Sequence, residues 1–195
     1  MSTWTFKARL IAAVGVLTLA ACDELPLPQA TGGGGAKALT QTTLARGTVR
    51  LSAPEGYCID PRSLRDRFAL LGRCDTLGVD GFFRDKDLAI ITTSVSPVSA
   101  GTANPDPSAL TADTDAELED TVQRDGIYLV RLLGKTSAIE GVSETFWRTA
   151  FVLNDQLINL VLYAPPGSPA LGNEGARVLQ RAVNATRQAT EQSSG

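Results

Sequence analysis

The sequence predicts an α+β fold of one domain: an antiparallel sheet ending in a C-terminal three-strand meander, packed against two or three helices. Between Ile127 and Ala164, β-branched and aromatic residues fall into short alternating runs separated by turn residues. From about Ser168 to Ala189, Leu171, Val178, Leu179, Ala182, Val183 and Thr186 recur at helical spacing. The residues before position 46 differ from both, being first apolar and then rich in Gly and Pro.

Residues 1–21 predict an export signal. Lys7 and Arg9 precede an uncharged run from Leu10 to Ala21, which leads into Cys22. That run is too short to span a bilayer, which takes about 20 apolar residues. The segment Leu19-Ala20-Ala21-Cys22 resembles the lipobox of bacterial lipoproteins. The resemblance implies cleavage before Cys22, acylation of its sulfur and anchorage at the periplasmic face of a bacterial membrane. An ordinary secretory signal cut after Ala21 is the alternative. Each buried acyl methylene contributes about 0.8 kcal/mol, so two or more chains hold firmly where one does not. Asp23 and Glu24 resemble the aspartate signal that retains enterobacterial lipoproteins in the inner membrane, and read equally as a solvated start to a linker.

Residues 22–45 read as a flexible tether. Pro26, Pro28 and the run Gly32 to Gly35 leave little apolar surface to bury after Leu27. About 20 such residues have a typical end-to-end distance of ~25 Å. The glycine run is no phosphate loop, because no strand precedes it and no Gly-Lys-Ser follows.

Within 46–190 the elements follow in order. Thr48 to Ala53 alternates through Val49 and Leu51 as a strand, and Pro54-Glu55-Gly56 turns the chain into Tyr57, Cys58 and Ile59. Asp60-Pro61 reads as the cap and first position of a short helix. Phe68 to Leu71 suits a strand or the end of that helix; the strand is preferred because it sets Cys74 beside Cys58. Asp87 to Val95 is a strand, and Ser96 to Ser108 a loop. Thr111 or Asp113 caps a predicted helix through Gln123, and Asp125-Gly126 turns the chain. The meander is Ile127 to Leu133, Glu144 to Leu153 and Gln156 to Ala164, with Asn154-Asp155 as its last tight turn. Trp147, Phe151 and Leu153 share one face with Thr149, as do Ile158, Leu160 and Leu162 in the next strand. After the closing helix, residues 191–195 are too polar to pack and read as a disordered tail.

Charge and composition exclude several functions. Removing Lys7 and Arg9 with the signal leaves 16 basic against 21 acidic side chains, a mature charge of −5. Nucleic acid, which demands a concentrated basic face, is not an expected partner. No polybasic cluster grips lipid head groups, so membrane contact falls to acylated Cys22. The chain has no histidine, which removes Ser-His-Asp and Cys-His nucleophiles, His-ligated zinc and imidazole acid–base catalysis. Carboxylate, lysine and tyrosine chemistry remain. Cys58 and Cys74, in an exported domain, most simply pair with each other, at about 3 kcal/mol by loop closure. Free buried thiols and a redox pair are the alternatives, the latter lacking a Cys-x-x-Cys spacing.

The order of elements, with Phe146-Trp147-Arg148-Thr149-Ala150 answered by Leu160-Val161-Leu162-Tyr163-Ala164, resembles small exported proteins of the PsbP/Mog1-like kind. The stretch Ala53-Pro54-Glu55-Gly56-Tyr57-Cys58-Ile59-Asp60-Pro61 resembles the opening of a group of small alphaproteobacterial lipoproteins of unassigned function. Both likenesses cover roughly residues 46–190. They imply an accessory or assembly role at a membrane, and transfer no catalytic or ligand residue.

Individual side chains weigh toward structure. Trp147 reads as core, with Arg148 on the opposite, solvent face. Asp113, Asp115, Glu117, Glu119 and Asp120 lack the glycine and terminal glutamate of a calcium loop and read as a solvated helix face. Lys135 with Ser137 or Ser143 as a Ser-Lys dyad has only sequence proximity behind it, and Tyr57 reads as packing. No catalytic residue, metal or cofactor is expected. The predicted function is a non-catalytic, lipid-anchored envelope protein that binds another protein. The alternatives are a small-ligand binder with a cavity between sheet and helices, and a carboxylate-dependent hydrolase.

Overall fold

A computed structural model describes residues 39–77, 88–137 and 140–193. The signal, Cys22, Asp23 and most of the predicted tether lie outside these residues. In chain order the elements are β1 (Gln41–Leu44), β2 (Val49–Ser52), β3 (Tyr57–Ile59), β4 (Phe68–Arg73), β5 (Ile90–Pro97), α1 (Pro107–Thr111), β6 (Ala116–Arg124), β7 (Ile127–Gly134), β8 (Thr145–Leu153), β9 (Gln156–Tyr163) and α2 (Asn173–Gln192). They form a β1–β2 hairpin and an antiparallel sheet of order β3-β4-β5-β9-β8-β7-β6. The fold is thus α+β, with two α-helices among the described residues.

One sheet face carries the main core. Ile127 and Leu129, Trp147 and Phe151, and Ile158, Leu160 and Leu162 project from β7, β8 and β9 against Val178, Leu179, Ala182 and Val183 of α2. The β1–β2 hairpin completes the layer with Leu44, Val49 and Leu51, each almost fully buried. Helix α2 packs where it does because of Gly175. A Cβ there would stand 2.1 Å from the Ala170 carbonyl oxygen and 2.6 Å from Trp147 Cδ1, so only glycine admits this approach. Trp147 Nε1 donates to the Leu171 carbonyl at 3.1 Å, which satisfies its one polar atom inside the core.

Five expectations are corrected. The helix predicted from Thr111 or Asp113 to Gln123 is instead strand β6, so the meander has four strands, β6 to β9. The reason is the Asp125-Gly126 turn: both residues have positive φ (48° and 74°), the two-residue hairpin geometry that requires a strand on either side. The capped helix lies earlier, starting at the end of the predicted loop, where Asp106 Oδ1 accepts from the Ala109 N–H and Pro107 opens the turn. The tether ends sooner than residue 45: Leu39 pairs with Ile59 and Leu44 is buried, because these two apolar side chains reach the core. The Asp60-Pro61 helix is a single 3-10 turn, Pro61–Ser63, and α2 runs on past Ala189 to Gln192 with Thr190 buried.

Other expectations stand. Phe68–Arg73 is a strand paired with β3. Asn154 and Asp155, both at positive φ, make the tight β8–β9 turn.

Candidate functional site

Whether a sheet protein has a docking site depends on what covers its edges. The edge of β3 is closed by the chain before β1, where the Ile59 N–H donates to the Leu39 carbonyl at 2.6 Å. The outer edge of β2 is closed by α2. Thr190 Oγ1 accepts from the Arg50 N–H at 3.0 Å and lies 3.4 Å from the Arg50 carbonyl, and Thr186 Oγ1 meets the Ser52 N–H and carbonyl at 3.3 and 3.4 Å.

The far edge, β6, is different. This nine-residue strand pairs only with β7, and its side chains are mostly exposed. The two-residue turn makes Arg124↔Ile127 the first bonded pair, so Val122 and Arg124 bond to β7 while Thr121 and Gln123 face their backbone groups outward. The Thr121 N–H accordingly donates to Asp120 Oδ1, at 2.8 Å, and not to β7. A bulge between Leu118 and Asp120 shifts the register there. Leu118 is 44% exposed, the one large apolar side chain so exposed among the described residues. Beside the start of β6 an open groove of about 450 Å³ is lined by Thr114, Asp115, Glu117, Leu133 and Lys135.

The segment leading into β6 is held by Arg148, on the sheet face opposite Trp147. Its guanidinium donates to Asn159 Oδ1 (2.9 Å), to the Leu110 carbonyl (3.0 Å) and to both oxygens of Asp113 (2.6 and 3.1 Å). Arg148 therefore does not simply point to solvent: its side chain is 14% exposed. The guanidinium hydrogen bond and then its charge hold the Asp113 carboxyl below the usual carboxylate range. Sequence alone pairs none of these residues, because Asp113 and Arg148 meet only once α1 lies over the sheet.

The acids read from the sequence as a helix face are distributed along an edge strand and its approach. Asp115 pairs with Lys135 at 3.1 Å and Glu119 with Arg131 at 3.2 Å. Among the described residues no cluster of carboxylates and cysteines has the geometry to hold a metal ion. Lys135 Nζ meets Asp115, and Ser143 Oγ accepts from the Thr145 N–H. Ser137 is exposed. Cys58 and Cys74 form a disulfide across β3 and the end of β4. Tyr57 is buried, which raises its hydroxyl pKa, against a rim cleft of about 230 Å³ shared with Arg73, Glu174 and Arg181. The space between sheet and α2 is filled by Trp147, Phe151 and Leu179 at 0% exposure.

No family model and no curated protein matches the chain. Among solved structures it is similar to the Ran-binding protein Mog1p of Saccharomyces cerevisiae, with 16% identity and a TM-score of 0.47 over 74% of this chain and 92% of that one. It is also similar to the PsbP protein of the cyanobacterium Synechocystis, with 10% identity and a TM-score of 0.41 over 79% and 94% of the two chains. A Bacteroides thetaiotaomicron protein gives 9% identity and a TM-score of 0.35, over 76% of this chain and 47% of that one.

Proposed function

We propose that this chain is a non-catalytic, lipid-anchored protein of the bacterial envelope, acting as an accessory or assembly factor that docks another protein along β6. The observation that carries the docking is the open β6 edge, with outward Thr121 and Gln123 and exposed Leu118, in a fold that seals its β2 and β3 edges. The anchor rests on the Leu-Ala-Ala-Cys22 segment, with Asp23 favouring the inner membrane. The filled core between sheet and α2 speaks against a ligand cavity there.

The test is a photo-reactive residue placed at Leu118 in the native host, with a second at exposed Arg177 on α2 as control. A discrete adduct from position 118 and none from 177 supports the reading. Equal or absent labelling at both overturns it. Intact-mass measurement of the same purified protein tests the anchor, which requires acyl chains on Cys22.

A further inference from the structure

The chemistry of the β6 edge narrows what it takes. Of the outward backbone groups, the Thr121 N–H is already held by the carboxylate of its neighbour, Asp120. A strand that pairs here must supply a carbonyl to that N–H and so displaces the carboxylate, which a cation on the incoming strand can then pair. Along the same edge stands exposed Glu117 and, beside the groove, Asp115, 88% exposed and paired with Lys135 at 3.1 Å.

We infer that β6 accepts an extended basic segment of a partner protein, whose carbonyl takes over the Thr121 N–H while a Lys or Arg takes the released Asp120 carboxylate. This rests on the docking reading above and specifies its partner. Leu118 gives such a segment an apolar contact between the acidic positions. Alternating basic and apolar residues fit the row, since neighbours on one strand face opposite ways.

The experiment titrates the full-length protein, held in detergent micelles, with a peptide as long as β6 that alternates lysine and valine, and with its glutamate–valine counterpart. Residue-resolved amide shifts are the readout. The lysine peptide is expected to shift Thr121 and Gln123 and to weaken as salt rises. Asp115→Lys/Glu117→Lys should weaken it roughly tenfold, the sum of two cross-strand charge pairs. Thr121→Pro, which removes an N–H that β7 does not use, should abolish it while leaving the melting transition. Equal binding of both peptides, or binding unchanged in Thr121→Pro, overturns the proposal, as does a concentration-dependent dimer through β6. If the lysine peptide fails while the Leu118 crosslink in the envelope persists, the basic partner is wrong and the docking reading stands. If both fail, both fall.

Discussion

The hydroxyl of Thr190 closes the outer edge of β2 by taking the Arg50 N–H at 3.0 Å, and Thr186, one helical turn earlier, does the same for Ser52. Four residues of helix advance about 6 Å and two residues of strand about 6.8 Å, so two hydroxyls on one helix face can satisfy alternate strand residues. The residue just before the predicted tail is thus buried and bonded. Thr190→Val keeps the shape and leaves the Arg50 N–H unpaired, at a cost of about 1–3 kcal/mol. Thermal unfolding should show the loss for valine and its recovery with serine. An unchanged transition in Thr190→Val would discard the capping role.

Gly175 offers a test of sign. Replacing a glycine inside a helix with alanine ordinarily stabilises by about 0.5–1 kcal/mol. Here the new Cβ meets backbone at Ala170 and the Trp147 ring, so Gly175→Ala is expected to destabilise, by about 1–3 kcal/mol for an overpacked core. A change in Trp147 emission should accompany it, Trp147 being the one tryptophan left in a chain cleaved before Cys22. A stabilised variant would contradict the described approach of α2 to β8.

The Cys58–Cys74 bridge ties β3 to the end of β4, next to the segment that carries Leu39. Reduction should lower stability by about 3 kcal/mol, read as a shift in denaturant midpoint with and without reductant. The double variant Cys58→Ala/Cys74→Ala should match the reduced protein and lose its response to reductant.

Arg148 and Asp113 carry a pH dependence. Asp113 has its carboxyl pKa depressed in the folded state, so its contribution is present above the ordinary carboxylate value and is lost as pH falls through the lower folded value. The Asp113 side chain is 68% exposed, so the effect is small and screened by salt. Comparing the parent with Asp113→Asn, the stability difference should shrink below about pH 4. Arg148→Ala should, in addition, speed amide exchange in α1 and the first residues of β6, since the guanidinium also holds the Leu110 carbonyl. Exchange confined to β8 would refute its clamping role.

Much of the sheet was legible in the residues themselves. Trp147, Phe151 and Leu153 fall on one face of a β-branched and aromatic run, as do Ile158, Leu160 and Leu162 in the next, and Asn154-Asp155 and the helical spacing of Val178 to Thr186 leave few other readings. The β6 strand was not, because Ala116, Leu118 and Val122 fit a helix face nearly as well as a strand and acidic residues suit a first turn. The Asp125-Gly126 pair held the deciding signal, since a hairpin turn before a strong strand implies a strand before the turn. Leu39 and Leu44 were lost among polar neighbours, and only the core contact made across β2 and β3 recruits them. The open β6 edge had no motif: an edge is defined by the strand that fails to pair with it, which is a property of topology.

Residue-resolved hydrogen exchange at Gln123 tests the open edge most directly. The isolated protein should exchange the Gln123 amide freely while Val122 and Arg124 stay protected by β7, and Gln123 should become protected when the protein is bound to envelope membranes of its host. A Gln123 amide already protected in the isolated protein, or one indifferent to those membranes, would contradict the account.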